Sequence, residues 1–141
     1  MTKMRRTVSV ALAVVVAAAT VACAPREEKK VEPVDAEEVA LDNEVLDQLR
    51  SAGSDLTRPH RIEFYLYLPS EADAEAAEAV LSATGYSVTV RAGSDDTNWL
   101  CLASRTMIPA IQELSEARRV FKGLALRYKG AYDGWVAAIE R

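Results

Sequence analysis

Histidine is nearly missing from this chain: His60 is the only one among 141 residues. A multi-histidine metal site is therefore excluded, as is a catalytic triad with a separate orienting histidine. Flanked by Pro59 and Arg61, His60 itself is expected in an exposed loop. Cysteine is almost as scarce, with Cys23 and Cys101 alone, so a multi-disulfide scaffold is excluded and the fold must rest on its own core. Basic residues are outnumbered, 17 Lys and Arg against 21 Asp and Glu. Such a chain is repelled by phosphate backbones, and nucleic acid is not expected as a direct partner. Long apolar runs are confined to one, the uncharged residues 7–22.

That run is 16 residues long, close to both a signal-peptide core and the roughly 17–25 residues that span a bilayer. Lys3, Arg5 and Arg6 precede it, the charge asymmetry that orients an exported segment. It ends in Ala19-Thr20-Val21-Ala22-Cys23, which resembles the lipobox of bacterial lipoproteins. The resemblance implies cleavage between Ala22 and Cys23, acylation of the Cys23 thiol, and a mature chain held at the membrane by that lipid. Two alternatives stay open: an uncleaved anchor, and ordinary secretory cleavage at Ala22-Cys23-Ala24. The latter would set Pro25 just past the scissile bond, where its locked φ suits a peptidase badly. Ala24 rather than Asp after the cysteine resembles an outer-membrane sorting signal, so the expected location is the cell envelope, at the outer membrane facing the periplasm. Loss of Lys3, Arg5 and Arg6 leaves 14 basic against 21 acidic residues, a net charge near −7. Cys101 is then the one thiol left.

Residues 24–40, with Pro25, Pro33 and the run Arg26-Glu27-Glu28-Lys29-Lys30, have no sustained apolar period and read as a solvated tether. The domain boundary falls at 41/42, with the signal peptide at 1–22, the lipidated tether at 23–41 and one domain at 42–141. Leu41, Val45, Leu46 and Leu49 predict a short helix over 42–52, stopped at Gly53. Residues 61–68 alternate strictly, Ile62, Phe64, Leu66 and Leu68 on one face, Glu63, Tyr65 and Tyr67 on the other, the signature of a half-buried strand. Ser70 with Asp73 opens a second helix, for which Ala72, Ala76, Val80 and Thr84 form the expected core stripe before Gly85. Strands at 86–91 and 97–105 flank a turn over 92–96 and read as a hairpin. Ile108, Ile111, Leu114, Phe121, Leu124 and Tyr128 predict a long helix, and residues 135–139 a closing edge strand. The order β-α-β-β-α-β with an extra helix in front predicts an α+β, ferredoxin-like sandwich, two helices on one sheet face and the other face open with Tyr65, Tyr67 and Trp99.

Four segments together resemble the domain of the regulator of ribonuclease activity B, the ribonuclease E inhibitor family. They are Leu46 and Leu49 before Gly53-Ser54-Asp55; Ile62-Glu63-Phe64-Tyr65-Leu66-Tyr67; Gly85-Tyr86-Ser87-Val88; and Tyr132-Asp133-Gly134-Trp135. The similarity spans about residues 42–141. It implies an acidic, non-catalytic domain that regulates a cytoplasmic nuclease by binding protein rather than RNA, with no cofactor.

The remaining candidates have plainer readings. Cys101, between Leu100 and Leu102, is expected to be buried and inert, since a reactive thiol needs an electropositive, accessible setting. Asp95 and Asp96 lack the spacing of a calcium loop and read as an acidic turn. Glu71, Glu75 and Glu78 share one helix face, where no burial separates their acidities for acid–base work. They and the aromatic trio Tyr65, Tyr67 and Trp99 are the candidate protein interface, Tyr and Trp being common anchors of such surfaces. Gly134 is expected to permit a sharp turn and Trp135 to plug the core. The partner protein and the oligomeric state are left unassigned.

Overall fold

The structure is a computed structural model that describes residues 36–141. The expected signal segment, Cys23 and the first part of the tether lie outside the described residues. The elements run α1 (Ala36–Ser51), β1 (His60–Leu68), α2 (Glu71–Ala83), β2 (Ser87–Ala92), β3 (Trp99–Met107), α3 (Ile111–Tyr128) and β4 (Ala131–Ala137).

The alternation of β1 dictates the sheet. Ile62, Phe64, Leu66 and Leu68 are buried and the residues between them are half-buried. β1 pairs antiparallel with β3 on one side and β4 on the other, and β3 pairs antiparallel with β2, for a strand order β2-β3-β1-β4. This is the split βαβ order of the expected ferredoxin-like fold. Helix α2 packs on β2 and β3 while α3 packs on β1 and β4, so both cover the face that carries Phe64. Between them lies an aromatic cluster: Phe64 stacks on Phe121 at 4.8 Å, Tyr86 sets its edge against both at 5.7 and 5.4 Å, and Tyr132 stacks on Phe121 at 5.6 Å. Each such pair contributes about 0.5–1.5 kcal/mol beyond its buried area.

Helix α1 starts six residues before the expected position and so takes in part of the expected tether. Glu37 and Glu38 occupy its first turn, where carboxylates favour the helix dipole. It packs on α3. Its buried stripe is Asp42, Leu46 and Leu49, while Leu41 is 57% exposed.

Helix α2 opens as expected: the Ser70 hydroxyl accepts from the Asp73 backbone N–H at 3.2 Å and donates to the Asp73 carboxylate at 2.7 Å. Its core face differs from the expected one. Ala74, Ala77 and Leu81 are buried, whereas Ala72, Val80 and Thr84 are exposed. Alanine occurs on every side of this helix, so alanine spacing carries no direction, and the single leucine fixes the rotation. Ile108, expected in α3, precedes it and is exposed.

Candidate interaction surfaces

Tyr132 and Trp135 are an odd number of residues apart, so a regular strand would send them to opposite faces. In β4 the register against β1 slips between Tyr65 and Leu66: Gly134 faces Tyr65, Tyr132 faces Leu66, and Asp133 is the extra residue of a β-bulge. Gly134 holds φ +110 there, a conformation that an L side chain resists. The expected sharp turn is thus a bulge inside the strand. It brings Tyr132 and Trp135 to the same, helix-covered face.

There the Trp135 indole N–H donates to Oδ1 of Asp42 at 2.8 Å. The other oxygen of Asp42 pairs with Nη2 of Arg118. Arg118 Nη1 lies 3.5 Å from Glu38, which also pairs with Lys122. The Asp42 and Arg118 side chains are only 8% and 9% exposed, so a charged layer joins α1 to α3. Above it opens a cleft of about 350 Å³ whose walls include Leu41, Val45 and Asp133. Burial holds the Tyr132 hydroxyl strongly protonated, an effect that Arg118 only partly offsets.

The candidate interface residues, on the open sheet face or on the acidic helix, are distributed as follows. Tyr65 and Tyr67 stand opposite Leu102 and Leu100 on the uncovered face, where Val136 is 48% exposed opposite Glu63. Trp99 pairs with Leu68 and Ala92, which places it on the helix side and packs it against the core; it does not join the tyrosines. Glu71 and Glu75 are exposed on α2, and Glu78 is half-buried. The acidic helix and the tyrosine strip are therefore two separate surfaces.

His60 is fully buried rather than exposed. The Arg58 carbonyl accepts from its Nδ1 at 2.8 Å, and its Nε2 meets the Ser54 hydroxyl at 2.6 Å. Ser54 Oγ in turn accepts from the Glu140 backbone N–H at 3.0 Å, and the Glu140 carbonyl accepts from the Asp55 N–H at 2.8 Å. This Ser–His pair resembles catalytic geometry but serves as a clasp, because a buried hydroxyl fastened to the carboxyl-terminal segment offers no approach to a substrate. Asp55 is held below the usual carboxylate range by the Thr57 hydroxyl and backbone N–H.

Cys101 is fully buried. Burial, assisted by the Glu78 charge, pushes its thiol up to about 11, so it is not a nucleophile at neutral pH. Asp95 accepts from the Thr97 N–H at 3.1 Å, an Asx-type turn, and Asp96 takes φ 55. Among the described residues no three His, Cys, Asp or Glu side chains converge as metal ligands, and no helix is long and apolar enough to cross a membrane.

Sequence reasoning passed over Asp42 and Arg118, although both left a trace. Asp42 shares the stripe of Leu46 and Leu49, and Arg118 that of Leu114 and Phe121. An acid on one apolar stripe and a base on another mark a pair.

No curated protein matches this chain. The profile of the family described as Regulator of ribonuclease activity B matches residues 40–136, from within α1 to within β4 and across Ser54, His60, the tyrosine strand and the bulge. With more than half of its length matched, the chain belongs to the family of the regulator of ribonuclease activity B.

Proposed function

We propose that this chain is a lipid-anchored, non-catalytic protein-binding module that regulates a ribonuclease from the cell envelope. The observation that carries the regulatory part is the family match over residues 40–136. The anchor rests on the sequence ending in Ala22-Cys23. The binding surface is the uncovered sheet face around Tyr65, Tyr67 and Leu102, which no described helix packs over; the acidic face of α2, with Glu71, Glu75 and Glu78, is the second candidate. The acidic balance of the chain favours a protein partner over RNA.

The nearest form of this activity is direct inhibition of ribonuclease E, or of another nuclease where export separates the domain from the cytoplasm. Adding the full chain in detergent to a ribonuclease E cleavage assay should lower the rate, and Tyr65→Ala with Tyr67→Ala should abolish that effect while leaving the fold intact. An unchanged rate with wild type removes ribonuclease E as the target. Fractionation with a lipid label separates the anchor from the activity. Wild type should be labelled and sediment with membranes, and Cys23→Ser should not; an unlabelled, cytoplasmic wild type would end the envelope reading.

A further inference from the structure

We propose that the outer face of helices α2 and α3 is where two copies of this chain associate, the acidic α2 of each lying on the basic α3 of the other. In a chain where acids outnumber bases, the stretch from Arg118 to Lys129 holds five cations and no acid. Arg118 and Lys122 are taken up by Asp42 and Glu38. Arg119, Arg127 and Lys129 are exposed and form no ion pair among the described residues. Beside them Leu126 is 85% exposed and Val120 41%. Gly123 stands between these two, and a Cβ there would meet nothing within 4 Å. The single copy thus gives no reason for a residue that weakens a helix interior, whereas a second helix packed closely on α3 does. The counterpart is α2. Its Glu71 and Glu75 are exposed and form no ion pair among the described residues, next to exposed Ala79 and a Val80 that is 38% exposed.

The topology brings the two faces into register. α2 follows the Leu68 end of β1, and α3 leads into β4, where Ala131 stands opposite Tyr67. The amino-terminal end of α2 and the carboxyl-terminal end of α3 therefore lie at the same end of the sheet, in one layer. A twofold axis parallel to these helices and midway between them keeps that end in place and lays α2 of one copy on α3 of the other. Glu71 and Glu75 then meet the half of α3 that carries Arg127 and Lys129. Val80 is nine residues from Glu71, and Val120 eight from Tyr128, roughly 12–14 Å along either helix, so the two valines come level. The paired helices run antiparallel, which suits their dipoles. The contact occurs twice and closes on itself, whereas α3 stacked on α3 would oppose cations. This gives the acidic α2 face a second copy as its occupant and leaves the tyrosine strip free. It is read as mass rather than as a nuclease rate, so either reading fails without the other.

Sedimentation of the full chain in excess detergent should show a monomer–dimer equilibrium that about 0.5 M NaCl weakens, because exposed charges are screened there. Glu71→Lys with Glu75→Lys, and separately Arg127→Glu with Lys129→Glu, should each weaken association roughly tenfold or more. The chain carrying all four changes should recover it, a recovery that unfolding could not give. Gly123→Gln should raise the melting temperature, glutamine being the better helix former, and yet block the dimer. A monomer at every concentration, association untouched by the charge reversals, a folded fourfold variant that stays monomeric, or dimers lost instead with Tyr65→Ala and Tyr67→Ala would each overturn the proposal.

Discussion

The Trp135 indole N–H reaches the Asp42 carboxylate at 2.8 Å across 93 positions of sequence, and that one bond ties the closing strand to the leading helix. Asp42 is simultaneously held by Arg118. The leading helix is therefore part of the domain rather than the end of a tether.

Breaking this layer from one side should be severe. Arg118→Ala leaves Asp42 charged and almost unsolvated, and a loss of roughly 3–5 kcal/mol is expected. Asp42→Asn combined with Arg118→Met removes both charges and keeps an acceptor for Trp135, so the double variant should be the more stable of the two. Urea denaturation of both checks the order; an equal or greater loss in the double variant would contradict it.

Two glycines should respond for different reasons. Gly134→Ala adds a Cβ that meets nothing within 4 Å, so its cost is that of holding φ +110, about 1–2 kcal/mol. Gly130 has no such backbone demand, yet a Cβ there would lie 2.2 Å from the Tyr67 carbonyl oxygen and 2.5 Å from Leu68. Gly130→Ala must push β4 away from β1 and should be the more damaging, as a comparison of melting temperatures would reveal.

Ser54→Ala removes the hydroxyl shared by His60 and the Glu140 amide. Stranding buried polar groups costs about 1–3 kcal/mol. Hydrogen exchange should accelerate at Glu140 well before it does in β1, because the carboxyl-terminal segment loses its clasp while the strand keeps both neighbours.

The Cys101 thiol should ignore alkylating reagents at pH 8 until the chain unfolds. Its folded value of about 11 stands above the ordinary thiol value of 9.0, so the folded state favours the neutral thiol. That contribution is complete below pH 9 and is lost as pH rises toward 11. Denaturation midpoints of wild type and Cys101→Ala, measured from pH 8 to pH 11, should show a falling component that the variant lacks; parallel curves would refute it.

Legibility followed the range of the forces involved. Strand β1 was readable because Ile62, Phe64, Leu66 and Leu68 repeat at period two, and the β2–β3 hairpin because its strands are neighbours in sequence. The face of α2 was misread since alanine fits anywhere, and only the sheet beneath it selects Ala74, Ala77 and Leu81. Trp99 was placed on the wrong side of the sheet because its face is fixed by standing opposite Leu68 of β1, and pairing with β1, not local composition, decides which face each residue takes.

By itself the sequence determined the order of strands and helices, the α+β class, the acidic character and the family, all of which follow from local periodicity, charge and short motifs. Only the tertiary structure decided that His60 is buried, that Tyr132 and Trp135 share a face, and that Asp42, Arg118 and Trp135 form one polar layer. Those facts depend on partners up to 93 residues away and on the bulge that turns one strand against another, and neither leaves a period in the chain. A side chain's neighbours along the sequence set its local conformation; what packs over it sets its burial, and burial gives each of these residues its role.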